Sequence, residues 1–153
     1  MAVLFLDTSA LVKLYVDEDG TRRMCELAHP DAGHQLAILS LARIEFRSAI
    51  RRRTRQGDLD PVAADAIVQQ LEEHLNSLLL VVPLSDAVLD QAAVVVDQYA
   101  LRAYDAIQLA GGLNLAARVG DDEDLQFVTA DHQQAEAAER AGLGMIIPTN
   151  LAE

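Results

Sequence analysis

Leu4-Phe5-Leu6-Asp7-Thr8-Ser9-Ala10-Leu11-Val12-Lys13-Leu14-Tyr15 decides how this chain is read. It completes an unbroken apolar run from Ala2 to Leu6, a length that suits a strand buried on both faces. Asp7 stops the run. Thr8 or Ser9 can then cap a helix, and Ala10, Leu11, Leu14 and Tyr15 follow at helical spacing. The unit reads as strand, acid, helix. Such a strand ends at the carboxyl edge of a parallel sheet, where open α/β sheets bind their ligands. Asp7 would project into that crevice, unless it serves only as a helix cap.

Working outward, Asp17-Glu18-Asp19-Gly20 is a turn, and Thr21 to Ala28 reads as a short helix closed by His29-Pro30. Gln35 to Leu39 is a second strand. Ser40 reads as the cap of a long helix carrying Leu41, Ile44, Phe46, Ala49 and Ile50 and ending near Gln56-Gly57. Asp60-Pro61 opens the next helix, to about Asn76, so positions 40–76 form a helical hairpin. Leu78 to Val82 is strand-like, and Ser85 caps a helix to about Tyr99. Arg102 to Arg118 is another helix, in which Gly111-Gly112 marks either a break or close backbone packing. An acidic loop, Asp121-Asp122-Glu123-Asp124, precedes a strand from Leu125 to Thr129. Asp131 to Ala141 is a helix capped by Gly142, and Met145 to Ile147 the last strand. This alternation predicts one α/β domain over positions 1–153, with a central parallel sheet of about four to five strands and helices on both faces.

At 153 residues and 51 % hydrophobic, the chain can bury a proper core. The lone Cys25 permits no internal disulfide or multi-cysteine metal site and reads as a half-buried thiol in a reducing compartment. Asp7 interrupts the N-terminal apolar run too early for a signal peptide, and no uncharged stretch approaches a membrane span. The expectation is a cytoplasmic protein with no membrane partner. A net charge of −12 argues against nucleic-acid binding by the body as a whole. Yet six of the 12 bases, Arg43, Arg47, Arg51, Arg52, Arg53 and Arg55, fall within one segment. That patch is either a solvated helix end complementing the dipole or a phosphate-binding surface.

Asp7, Glu45, Asp105 and Asp131 stand where burial or strand-end placement is expected. Asp131 repeats the grammar of Asp7: short strand, acid, helix. Glu45 reads as mid-helix beside the apolar face, free or paired with Arg52. If the four converge, mutual repulsion makes the cluster costly without a counter-ion. Oxygen donors without Cys or clustered His favour Mg²⁺ or Mn²⁺ over Zn²⁺. His29, His34, His74 and His132 show no ligand spacing and read as surface or loop residues. Carboxylates around such an ion, near arginines, suit phosphodiester hydrolysis. A phosphatase with Asp7 as nucleophile would need a nearby lysine, and the sole lysine is Lys13, about two turns along the first helix.

With these residues in place the chain resembles the PIN-domain family, and within it the VapC-type ribonuclease toxins. The resemblance rests on the opening stretch, on Ile44-Glu45-Phe46 with its trailing arginines, and on Leu101-Arg102-Ala103-Tyr104-Asp105-Ala106-Ile107-Gln108-Leu109-Ala110. It continues through Phe127-Val128-Thr129-Ala130-Asp131 and Ala141-Gly142-Leu143 with Ile146-Ile147-Pro148. It implies a Mg²⁺ or Mn²⁺ site built by Asp7, Glu45, Asp105 and Asp131, with Ser9 and Thr129 bonding the carboxylates. It implies cleavage of an RNA substrate held by Arg47, Arg51 and Arg52, a homodimer, and inhibition by a cognate antitoxin. A partner helix is expected to dock on Leu11, Leu14, Tyr15, Met24 and the helix from Leu41 to Ile50. Gln108 stands where the family often has His, and Gln134 where it commonly has an apolar residue. A catalytically silent module binding RNA or protein, and the phosphatase, are the rival readings.

Overall fold

The computed structural model describes residues 2–150; positions 1 and 151–153 of the expected domain lie outside the described residues. Five parallel strands form one sheet: β1 (Ala2–Leu6), β2 (Gln35–Leu39), β3 (Leu80–Val82), β4 (Asp124–Val128) and β5 (Gly144–Ile146), in the order β3-β2-β1-β4-β5. The expected α/β architecture is observed. β1 is central and buried along its whole length, as its unbroken apolar run requires. Its side chains alternate between two cores. Leu4 and Leu6 face one, and Val3 and Phe5 the other.

Helices α1 (Thr8–Val12), α2 (Thr21–Ala28), α3 (Ala42–Arg55) and α4 (Pro61–Ser77) close the first core over Leu11, Met24, Phe46, Ile50, Val68 and Leu71. Helices α5 (Asp86–Gln98), α6 (Ala103–Val119) and α7 (His132–Arg140) close the second. The chain therefore winds from β1 out to β3 on one side and returns to β4 and β5 on the other. The strand order reverses between β1 and β4, and a crevice opens at their carboxyl ends.

Several local expectations change. Asp7, not Thr8 or Ser9, caps α1, through Ala10 N–H to Oδ1 at 3.0 Å. Ser40 does not cap α3. Its hydroxyl accepts from Leu84 N–H instead, at 2.9 Å, tying the end of β2 to the end of β3. Cys25 is exposed rather than half-buried, because α2 turns it away from Met24 and Leu27. His74 is half-buried: its Nδ1 lies 2.6 Å from the Tyr15 hydroxyl, and the Tyr15 ring packs edge-on against Phe46. Among the described residues, no helix is long and apolar enough to cross a membrane.

The paired glycines do not break α6; they let it approach the sheet. A Cβ on Gly112 would lie 2.9 Å from the Phe127 ring, which stacks on Phe5 with centroids 5.7 Å apart. In an exposed helix Gly→Ala stabilises by about 0.5–1 kcal/mol. Here a locked ring must move. Gly112→Ala is expected to destabilise the fold by about 1–3 kcal/mol in urea denaturation. A stabilised variant would show that α6 does not rest on Phe127.

Candidate active site at the β1–β4 crevice

Because β1 ends between β2 and β4, the next residue enters the crevice. Asp7 N–H continues the ladder to Val128 C=O at 3.1 Å, and its side chain is 4 % exposed. Its carboxylate is held by neutral donors. Ser9 Oγ donates to Oδ1 at 2.7 Å and Thr129 Oγ1 to Oδ2 at 2.6 Å, beside the cap bond from Ala10. Ser9 also accepts from Ala130 N–H at 2.9 Å and Thr129 from Asp131 N–H at 3.0 Å, so the two hydroxyls lock the β1 and β4 ends together. No arginine or lysine pairs with Asp7 among the described residues. Burial pushes its carboxyl up to about 6, against the pull of Thr129, Ser9 and Ala10, and the Asp105 charge adds to the rise.

Asp105 lies in the first turn of α6, a quarter exposed, with Arg102 Nε at 3.5 Å from Oδ2. Burial raises its carboxyl, Arg102 opposes that, and Asp131 raises it further. Asp131 caps α7, its Oδ1 accepting from Gln133 and Gln134 N–H. Glu45 is not mid-helix. It lies in the first turn of α3, just past β2, and makes no ion pair with Arg52. Its Oε1 accepts from Thr8 Oγ1 at 3.0 Å and Gln108 Nε2 at 2.7 Å. All four acids thus sit at strand ends or helix starts along one edge of the sheet. Asp121, Asp122, Glu123 and Asp124 lie at the opposite edge, where β4 begins. A strand of this length separates them from the site by roughly 17 Å. Among the described residues, no three His, Cys, Asp or Glu side chains stand close enough to hold a metal ion jointly.

The sequence matches the model of the PIN domain over residues 4–140. The chain belongs to the PIN domain family. VapC-type members of that family are nucleases. The fold is similar to that of a toxin–antitoxin complex from Klebsiella pneumoniae (TM-score 0.61, 18 % identity, 99 % of this chain and 100 % of that one). It is also similar to FitAcB from Neisseria gonorrhoeae (0.65, 14 %, 97 % and 99 %) and to PAE2754 from Pyrobaculum aerophilum (0.57, 25 %, 97 % and 85 %). No curated protein matches the sequence.

In this PIN domain a cleft of about 530 Å³ is lined by Thr8, Ser9, Ile44, Glu45, Arg52, Arg102 and Tyr104 among others; of the four acids, Glu45 lines it. Of the three arginines expected to hold RNA, only Arg52 lines it. Arg47 pairs with Glu72 at 3.5 Å and Arg51 with Asp65 at 2.7 Å, both on α4. Leu11 and Met24 cannot form a docking groove, because both are fully buried in the first core. Lys13 is 6 % exposed and pairs with Glu18 at 3.0 Å, which removes the cation the phosphatase reading needs. Four contributors escaped the sequence reading: Thr8, Gln108, Gln134 and Arg102. Gln134 Nε2 donates to Asp105 C=O at 2.9 Å and fixes the start of α6 against α7. The available signal was spacing: each glutamine follows an acid by three residues on one helix face.

The Asp7 shift has a sign. Its carboxyl titrates at about 6 in the fold and at 3.8 when unperturbed. The folded state therefore holds the proton more tightly, and that stability is full below about pH 4 and lost as pH rises through 6. Over two units the loss is about 3 kcal/mol. Asp7→Asn should remove it, with the Thr129 hydroxyl turning toward Gln134 Oε1, 3.4 Å away. In EDTA at pH 8 the variant is expected to be more stable than wild type by up to about 3 kcal/mol, and by about 1 kcal/mol at pH 4.5. An advantage independent of pH would refute the shift.

Proposed function

We propose that this PIN domain is a Mg²⁺- or Mn²⁺-dependent endoribonuclease of VapC type, the toxin of a toxin–antitoxin pair. The observation that carries the proposal is Asp7: a buried carboxylate at the sheet's switch point, held only by neutral dipoles, with further acids beside it. Asp7 and Asp105 present hard oxygen donors. Mg²⁺ is commonly held by one or two carboxylates, its other positions left to water and substrate phosphate, so this pair fits it without a third protein ligand. When bound, such an ion lowers the pKa of a water and neutralises phosphate charge.

The chain's own part is positioning. Ser9 and Thr129 fix both Asp7 oxygens. Glu45 and Asp131 complete the acidic rim and orient water. Arg52 and Arg102, at the cleft wall, bind substrate phosphates; Arg47 and Arg51 join them only by leaving the acids of α4. A cognate antitoxin and a homodimer are the partners this reading implies. Support for the antitoxin comes from relatives solved as toxin–antitoxin complexes, including VapBC2 from Rickettsia felis. An antitoxin guanidinium can pair with two of the carboxylates and shield them. Ile44 and Tyr104, both largely exposed at the cleft, supply apolar contact in place of Leu11 and Met24.

Asp105→Asn is expected to abolish RNA cleavage without lowering metal-free stability, since it removes one of several like charges. EDTA should stop wild-type cleavage, and Mg²⁺ or Mn²⁺ should restore it. Expressed without its partner, wild type should arrest growth and Asp105→Asn should not. A fully active variant, or cleavage in excess EDTA, would overturn the proposal.

Arg52→Ala should weaken RNA binding and reduce the slope of log K against log salt by about one unit. Arg47→Ala should change the slope less. Equal slopes for wild type and Arg52→Ala would assign Arg52 to the solvated surface.

A further inference from the structure

Gln108 is 2 % exposed, and its hydrogen bonds are lopsided. Nε2 donates to Glu45 Oε1 at 2.7 Å and to Thr8 Oγ1 at 3.2 Å, while Thr8 donates onward to the same Glu45 oxygen at 3.0 Å. The three groups form a closed triangle in which every proton has one destination. Gln108 Oε1, in contrast, is buried with no partner among the described residues. Flipping the amide would set two acceptors 2.7 Å apart and strand the amide nitrogen in place of the oxygen. The orientation is therefore fixed, and it leaves an acceptor unmet in order to aim two donors at Glu45 and its neighbour.

A residue kept for packing would not carry that expense. Leucine fills nearly the same volume and strands no polar atom. An arginine or lysine would hold Glu45 more strongly but cancel its charge. Gln108 does what neither can: it fixes the carboxylate and leaves the negative charge whole. Both bonds fall on Oε1, so Oε2, which accepts no hydrogen bond from the described residues, remains for the cleft that Glu45 lines. Ser9 and Thr129 likewise hold Asp7 with neutral donors, there one on each oxygen. Gln108 also stands one turn beyond Asp105 on α6, so a single helix places one acid and clamps another.

We infer that Gln108 is a positioning residue, which together with Thr8 holds the Glu45 carboxylate uncompensated at the cleft, where it orients the water shell of a divalent cation. The inference rests on the metal-dependent reading above, and its test separates the two.

The experiment is a four-cornered cycle of wild type, Gln108→Leu, Glu45→Ala and the double variant. It is read by calorimetric Mn²⁺ affinity, by kcat and KM on RNA, and by urea midpoint. Gln108→Leu should weaken Mn²⁺ binding about 10-fold and lower kcat by about 10–100-fold. KM for RNA should stay within about twofold and the urea midpoint should not fall. In the Glu45→Ala background, adding Gln108→Leu should change Mn²⁺ affinity by less than about twofold, because the group it acts through is gone. Gln108→Met repeats the measurement with an unbranched apolar chain in case leucine packs badly. Unchanged Mn²⁺ affinity in Gln108→Leu, additive losses around the cycle, or losses that track a lowered midpoint in both variants would overturn the assignment. Coupled Mn²⁺ losses in a protein that leaves RNA intact would uphold Gln108 and overturn the nuclease. RNA cleavage with additive losses would do the reverse, and a wild type that takes up no Mn²⁺ overturns both.

Discussion

A carboxylate buried without a cation is the constraint around which this molecule is arranged. β1 must be central, because its five residues are buried on both faces. Centrality puts the next side chain, that of Asp7, at the point where the winding reverses. Desolvation there opposes ionisation, and the Asp105 charge opposes it further. The chain answers with dipoles rather than charge. Two hydroxyls and one backbone N–H hold Asp7, while a hydroxyl and an amide hold Glu45. Dipoles orient an anion without neutralising it. The fold thus keeps a negative crevice at a cost in stability, as functional sites commonly do.

Arginines elsewhere follow the opposite rule. Arg53 and Lys13 both pair with Glu18, which holds its carboxyl below the usual range although burial alone would raise it. Arg43 and Arg47 share Glu72, and Arg51 takes Asp65. These pairs join α3 to α4 and to the turn before α2, so much of the basic segment serves to fasten helices. Being partly exposed, most of them contribute little each to stability. What they achieve is selective: they occupy most of the cations that lie near the crevice in sequence, so that among the described residues Asp7 pairs with no cation and Asp105 pairs only with the exposed Arg102.

Strand, acid and helix were legible at Asp7 because a buried parallel strand has a length and composition that little else shares. The same grammar pointed to Asp131, and the direction of β4 sets the acidic loop at the far end of the strand, since Asp124 begins it. Glu45 was read as mid-helix from Leu41 and Ala49, four residues to either side, but Leu41 caps α3 and the helix begins at Ala42; the Ser40 hydroxyl serves Leu84, a partner 44 residues away that no local pattern reveals. Gln108 and Gln134 were hidden for a related reason. Each interrupts an apolar face, and a sequence cannot tell an interruption from a contact. Their donors end on Glu45 and on the Asp105 carbonyl, groups from distant segments. Local chemistry was readable, whereas side chains whose role is to bridge elements became visible only when the elements met.

The charge balance then constrains how RNA could be held. A body of net charge −12 repels a polyanion at long range, and salt screens that repulsion over about 8–10 Å. With Arg43, Arg47, Arg51 and Arg53 engaged by acids, the cleft offers Arg52, and Arg102 beside Asp105, as its cations. Two phosphate contacts give a shallow salt dependence and modest affinity. A divalent ion at Asp7 and Asp105 would alter this more than any side chain, replacing repulsion at the crevice floor with attraction for phosphate. Binding and hydrolysis would then share one requirement. Metal-free protein would bind RNA poorly as well as failing to cut it, so an inhibitor that reached the acids first would block both steps at once.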